Sequence, residues 1–146
     1  MTDITPRVRL NRLKKLEHML LNYDEIFPKV EFGIGVWGKK IDCGTSACAL
    51  GSAGLYPPFR RKGLKTVIGC FMESCVNYKR YKDLLAGSWF FGIPLYESDW
   101  LFWPDKYHTK EGRQYITSNS RKRYITPQRV AERVNKLIKK YEKEMS

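Results

Sequence analysis

Apolar positions along the chain alternate between helical and extended periods. Leu10, Leu13, Leu16 and Leu20 recur at spacings of three and four, which places them on one face of a helix. Thr5-Pro6 supplies an N-cap and a first-turn proline. Arg7, Arg9, Arg12, Lys14 and Lys15 fill much of the remaining helix surface, Glu17 falls at the edge of the stripe, and the helix is predicted to end near Tyr23. Val30, Phe32, Ile34 and Val36 then alternate with Glu31, Gly33, Gly35 and Trp37, a period of two that predicts an extended segment. Ala47, Ala49, Gly51, Ser52 and Ala53 predict a small-residue helix packed close to a neighbour and ended by Gly54 and Pro57-Pro58. The β-branched Thr66, Val67 and Ile68 favour a strand. Tyr81, Leu84, Leu85, Ser88 and Trp89 predict a helix over 78–91 capped by Gly92, and Pro94 restarts a shorter one that runs to Pro104. Residues 105–123 read as a polar, basic loop. Thr126-Pro127 repeats the opening device, and Val130, Val134, Leu137, Ile138, Tyr141 and Met145 form one stripe on the last helix. That stripe is expected to pack within its own chain, because it lacks a sustained heptad.

These elements predict a mostly helical α+β fold. Residues 1–146 form a single domain with a basic N-terminal helix, a small sheet or hairpin, a central small-residue helix and a basic C-terminal helix. Hydrophobic residues at 42% and aromatics at 14% argue against disorder. No apolar run approaches the ~20 residues of a membrane span. The N-terminus lacks the apolar core of a secretory signal. The expected address is the cytoplasm, that of the host cell if the protein is viral.

Charge changes the picture most. The chain carries 27 basic against 15 acidic residues, a net charge of +12, which calls for an anionic partner. The basic residues come in clusters: Lys39-Lys40, Arg60-Arg61-Lys62 with Lys65, Lys79-Arg80 with Lys82, and Arg121-Lys122-Arg123. Arg129, Arg133, Lys136, Lys140 and Lys143 step by four, three, four and three along one face of the last helix. Such a stripe suits a phosphate backbone, although on its own it reads as a solvated face supported by Glu132 and Lys136. Trp103 or Tyr107, if exposed, would offer a ring to a base.

The densest unusual stretch is residues 42–54, DCGTSACALGSAG. Gly44-Thr45 ahead of a helix would present backbone N–H groups to a phosphate, with Lys39 and Lys40 nearby. The plainer reading makes Thr45 or Asp42 a helix cap. Cys43, Cys48, Cys70 and Cys75 follow the pattern C-x4-C, 21 residues, C-x4-C, which would suit zinc. The expectation is instead four reduced thiols packed as small apolar groups, with no metal or cofactor. A cysteine hydrolase would need Cys48 or Cys43 as nucleophile and His108 as base. His18 lies on the flank of the first helix, and a set of Ser98, Asp99 and His108 has nothing to fix its geometry. Gly33, Gly35 and Gly38 match G-x-G-x-x-G without the strand and helix that a dinucleotide site requires.

Cys43, Gly44, Thr45, Ala47, Cys48 and Gly51 form a motif C-G-T-x-A-C-x-x-G. It is followed by Phe90-Phe91-Gly92-Ile93, by Leu101-Phe102-Trp103-Pro104, and by Thr126-Pro127 with Val130-Ala131-Glu132-Arg133-Val134. In these features the chain resembles a broad group of small bacterial and phage proteins whose chemistry is not established. It departs from them at Ser52, where the group often has Trp. The resemblance implies a phage or mobile-element setting. Charge and resemblance together predict a non-enzymatic accessory protein that binds a phosphate-bearing ligand, nucleic acid or nucleotide, through Lys39, Lys40, Thr45, Arg60, Arg61, Lys62, Arg121, Lys122 and Arg123. Interference with a host defence process would be its natural role. The alternatives are an inhibitor that occupies an acidic or nucleic-acid-binding host protein, and a cysteine-dependent hydrolase. The sequence leaves the oligomeric state open.

Overall fold

Thr5 opens the first helix as expected. Its hydroxyl accepts from the Val8 N–H at 3.2 Å, Pro6 follows at N1, and α1 runs over Pro6–Leu21. The computed structural model describes residues 4–32, 39–41, 44–68, 75–103 and 126–146. After α1 come the single turn α2 (Tyr23–Ile26) and the strands β1 (Val30–Phe32), β2 (Lys39–Ile41) and β3 (Gly44–Ala47). The short helices α3 (Ala49–Ala53) and α4 (Pro57–Arg60) lead to strands β4 (Lys65–Val67), β5 (Cys75–Tyr78) and β6 (Tyr81–Lys82). Helices α5 (Asp83–Phe91), α6 (Leu95–Phe102) and α7 (Pro127–Met145) complete the described order. The fold is mostly helical α+β. None of the described helices is long and apolar enough to cross a membrane.

The strands form two small sheets. In the first, β3 lies between β1, which it pairs in parallel, and β2, which it pairs antiparallel. The second is antiparallel in the order β4-β5-β6.

Helices α1 and α7 pack along each other and bury their two apolar stripes together. Leu10, Leu13, Leu16, Met19 and Leu20 meet Val130, Ala131, Val134, Leu137, Ile138 and Tyr141 in one continuous core. Arg9 lies over the Tyr141 ring and Asn135 donates to Glu17, so the two helices run antiparallel. The stripe of α7 is thus covered within the chain. Met145 is the exception: it stands 51% exposed, past the end of α1's apolar face. Beside this pair sits an aromatic cluster. Phe59, Phe90 and Phe91 meet edge to face at centroid distances of 5.0–5.5 Å, the arrangement that ring quadrupoles favour.

Two expected elements differ. The helix expected over 78–91 begins only at Asp83, because Tyr78 and Tyr81 face each other across the β5–β6 hairpin. Its buried face is Ala86, Gly87, Ser88, Phe90 and Phe91, while Leu85 is exposed. The small residues are needed there: a Cβ on Gly87 would lie 2.9 Å from Ser98 Oγ and 3.3 Å from Leu50 Cδ1. The small-residue helix is also shorter than expected. Gly44–Ala47 is strand β3, and the helix proper begins at Ala49. Gly54 ends it as expected, and Pro57-Pro58 opens the next short helix, α4.

Candidate functional site

The late start of α3 removes the expected phosphate site at its N-terminus. Thr45 is not a cap. It sits mid-strand in β3, opposite Val30 on one side and Lys40 on the other, so Lys40 and Thr45 are register partners in the sheet. Lys39 pairs with Ser46. The cap is Cys48, whose Sγ accepts from the Gly51 N–H at 3.4 Å. That thiol is 1% exposed, and burial pushes it up from its ordinary 9.0 to about 11. A thiol so held stays protonated at neutral pH and is a poor nucleophile. Cys75 is half-buried, with Sγ near the Asn77 amide. Cys43, Cys70, His108, Tyr107, Asp42, Arg121, Lys122, Arg123 and the glycine run 33–38 lie outside the described residues, as does the expected loop. Among the described residues no group of three or more His, Cys, Asp or Glu is placed to hold a metal ion. Ser98 is fully buried and donates to the Leu84 carbonyl at 2.7 Å, which ties α6 to α5 and withdraws it from any catalytic set. His18 is exposed on α1 beside Asn22.

Several cations that read as solvated from the sequence are structural. Arg9 Nε donates to the Gly92 carbonyl at 2.7 Å, and Arg12 Nη1 donates to the Phe90 carbonyl at 2.6 Å. Both guanidinium groups therefore close the C-terminal end of α5, where helix carbonyls lack intrahelical donors and the dipole favours positive charge. Arg60 Nη1 donates to the Gly54 carbonyl at 2.9 Å. Arg133 donates to the Trp100 carbonyl at 2.5 Å and lies over the Trp100 ring. Lys140 binds Glu97 at 2.6 Å. The basic stripe of α7 is thus broken at two of its five positions.

Arg12 also joins two other cations at a cleft of about 290 Å³ between α1 and α4. Val8, Asn11, Arg12 and Lys15 come from α1, where spacings of three and four put them on one face beside the buried stripe. Pro58 and Phe59 come from α4, and Lys62 from the turn that follows. Gly63 makes that turn possible with φ +101°. The floor is apolar, formed by Val8, Pro58 and the buried Phe59. Among the described residues the lining carries three cations and no carboxylate. Arg12 is fixed in place, its guanidinium 4.1 Å from the centre of the Phe90 ring, and only one of its five N–H donors goes to Phe90. Lys15 and Lys62 are exposed. The described lining residues offer positive charge and hydrogen-bond donors.

Of the expected ligand-binding residues, Lys62 lines this cleft, Arg60 is exposed with one guanidinium nitrogen on the Gly54 carbonyl, and Arg61 is exposed beside them. Sequence reasoning missed Arg12 and Lys15 as site residues. Their signal was present, as cations flanking an apolar stripe, but their partner surface lies some fifty residues away in the chain. No family model, curated protein or solved structure matches this chain.

Proposed function

We propose that this protein is a non-enzymatic binder of phosphate-bearing ligands, with Arg12, Lys15 and Lys62 taking the phosphate in the α1–α4 cleft. One observation carries the reading: three cations, two from α1 and one from the turn after α4, line one concavity whose described residues include no carboxylate. The apolar floor admits the less polar part of a nucleotide, and a net charge of +12 draws polyanions toward the whole surface. The resemblance of the Cys43–Gly51 motif to phage proteins adds a setting in which such binding would interfere with a host defence process.

The test is a titration with a fluorescein-labelled 20-nucleotide single strand, a 20-base-pair duplex and a fluorescent nucleotide, over a range of salt. Lys15→Gln with Lys62→Gln, both exposed positions, leaves the fold intact. The double variant should lower the salt slope of log affinity by about 1.5–2, near one counterion per lysine removed. Undetectable binding of all three probes at low salt overturns the reading and favours an inhibitor of an acidic host protein.

A further inference from the structure

The second sheet carries a feature the cleft does not explain. Its two-residue hairpin turn is Lys79-Arg80, and Lys79 adopts φ +54°. Turns of this kind favour Asn or Gly, because a side chain at positive φ is strained. Here two exposed cations occupy it. Strain retained in a surface turn points to a use for the side chains that impose it.

The residues around the turn fit one use. The Tyr81 ring stacks flat on Trp89, with centroids 4.4 Å apart and planes 4° from parallel. The Arg80 guanidinium lies over Tyr81, 5.0 Å from its centroid, and Nη2 donates to the Tyr81 hydroxyl at 2.9 Å. Tyr81 and Trp89 are half-buried and Arg80 is exposed, so the guanidinium forms the outer part of this stack. Register places further cations on the opposite face of the sheet from Tyr81, reached around the β6 edge. Lys65, Asn77 and Lys82 stand in line over β4, β5 and β6, with Lys65 and Lys82 exposed. The described strand residues on that face, Lys65, Val67, Cys75, Asn77 and Lys82, include no carboxylate, and the adjoining Asp83 is engaged in accepting from the Val76 N–H at 3.0 Å.

We infer that the β5–β6 hairpin edge binds single-stranded nucleic acid. An unpaired base stacks on the Arg80 guanidinium, a flanking phosphate meets Lys79 at the turn, and the strand passes round the β6 edge so that the next phosphate meets Lys82. Arginine planes and aromatic rings serve unpaired bases in this way, whereas bases in a duplex are closed to them. Charge complementarity favours the polyanion, and the layered stack favours a ligand with flat rings over an acidic peptide.

The experiment uses the full chain and a labelled dT20 strand, with a 20-base-pair duplex and polyglutamate as comparison ligands. Arg80→Gln with Lys82→Gln should weaken dT20 binding at least tenfold and lower its salt slope by about 0.7, the one phosphate contact being that of Lys82. Duplex binding should change less than threefold. Lys79→Gly should raise Tm by about 2–6 °C by relieving the turn, yet weaken dT20 binding. A merely structural role for the turn would not separate those two readouts. Unchanged dT20 affinity in the Arg80, Lys82 variant overturns the proposal, as does polyglutamate bound as tightly as dT20 and equally weakened. The Lys15, Lys62 variant, measured in parallel, separates this inference from the cleft: loss there alone leaves the cleft reading standing and removes the hairpin.

Discussion

Tyr141 donates its hydroxyl hydrogen to the carboxylate of Glu97, a charged group only 4% exposed. The other carboxylate oxygen accepts from Lys140 at 2.6 Å. Glu97 lies on α6 and both partners on α7, so one carboxylate ties the two helices. A buried anion is tolerable only while its oxygens are occupied by donors. Tyr141→Phe removes one donor and should cost about 1.5–3 kcal/mol in urea unfolding. Glu97→Gln should cost a similar amount. The double variant should lose clearly less than the sum, because the two changes break one hydrogen bond. Strict additivity would mean that the two side chains act independently.

Stability should fall at alkaline pH. Burial raises the Tyr23, Tyr141 and Cys48 values, with Glu97 adding to the effect at Tyr141, and the Glu97 hydrogen bond raises Lys140. In every case the folded chain holds its proton more tightly than the unfolded one. The unfolded state therefore binds fewer protons, and stability falls as pH rises through the window between the two values. For Cys48 that window runs from about 9 to about 11. Its share is of order 2–3 kcal/mol. Urea midpoints at pH 7, 9, 10 and 11 should decline from pH 9 upward, and Cys48→Ala should flatten the first part of the decline. Equal slopes in both proteins would show that Cys48 contributes nothing to it.

Gly54 is fixed by contact rather than by conformation. Its φ is −70°, open to any residue, but a Cβ would lie 2.0 Å from Thr66 Oγ1 and 2.6 Å from Thr66 N. Strand β4 passes directly over it, with the Thr66 N–H bonded to the Gly54 carbonyl at 3.1 Å. Gly54→Ala should cost more than about 2 kcal/mol, within the range for overpacking. Adding Thr66→Ala should not rescue it, since the backbone nitrogen remains in the way. Recovery of wild-type stability in the double variant would place the clash in the side chain alone.

Leu137 and Met145 belong to one stripe but should behave differently. Leu137 is 5% exposed between α7 and its neighbours, whereas Met145 is half in solvent. Leu137→Ala should cost about 2–5 kcal/mol, and Met145→Ala less than about 0.5 kcal/mol. Both costs should be independent of protein concentration. A midpoint that rises with concentration would make α7 a subunit interface.

The helices were most legible where their signals were local. Thr5 and Thr126 cap α1 and α7 through their own hydroxyls, each at 3.2 Å, and the leucine and valine stripes beside them are core. Tyr78 and Tyr81 misled because a spacing of three fits one helical turn as well as two strands joined by a tight hairpin. The Lys79-Arg80 turn lacks the Gly or Asn that would have marked it. Arg9 and Arg12 sat where a solvated helix face is expected, yet they reach carbonyls about eighty residues away. Glu97 was overlooked for the same reason, as its partners are more than forty residues ahead. The cleft depends on α4 meeting α1, which no local period encodes.

The pairing of α1 with α7 also sets a problem of timing. The leucine face of α1 leaves the ribosome early, and the surface that covers it follows about 120 residues later, or roughly 6–24 s at about 5–20 residues per second. Through that interval Leu13, Leu16 and Leu20, fully buried in the finished fold, lack their principal cover. The nascent chain is thus a natural client for a hydrophobic-binding chaperone. Chains arrested before residue 126 should remain protease-sensitive within α1 and become resistant once α7 has emerged.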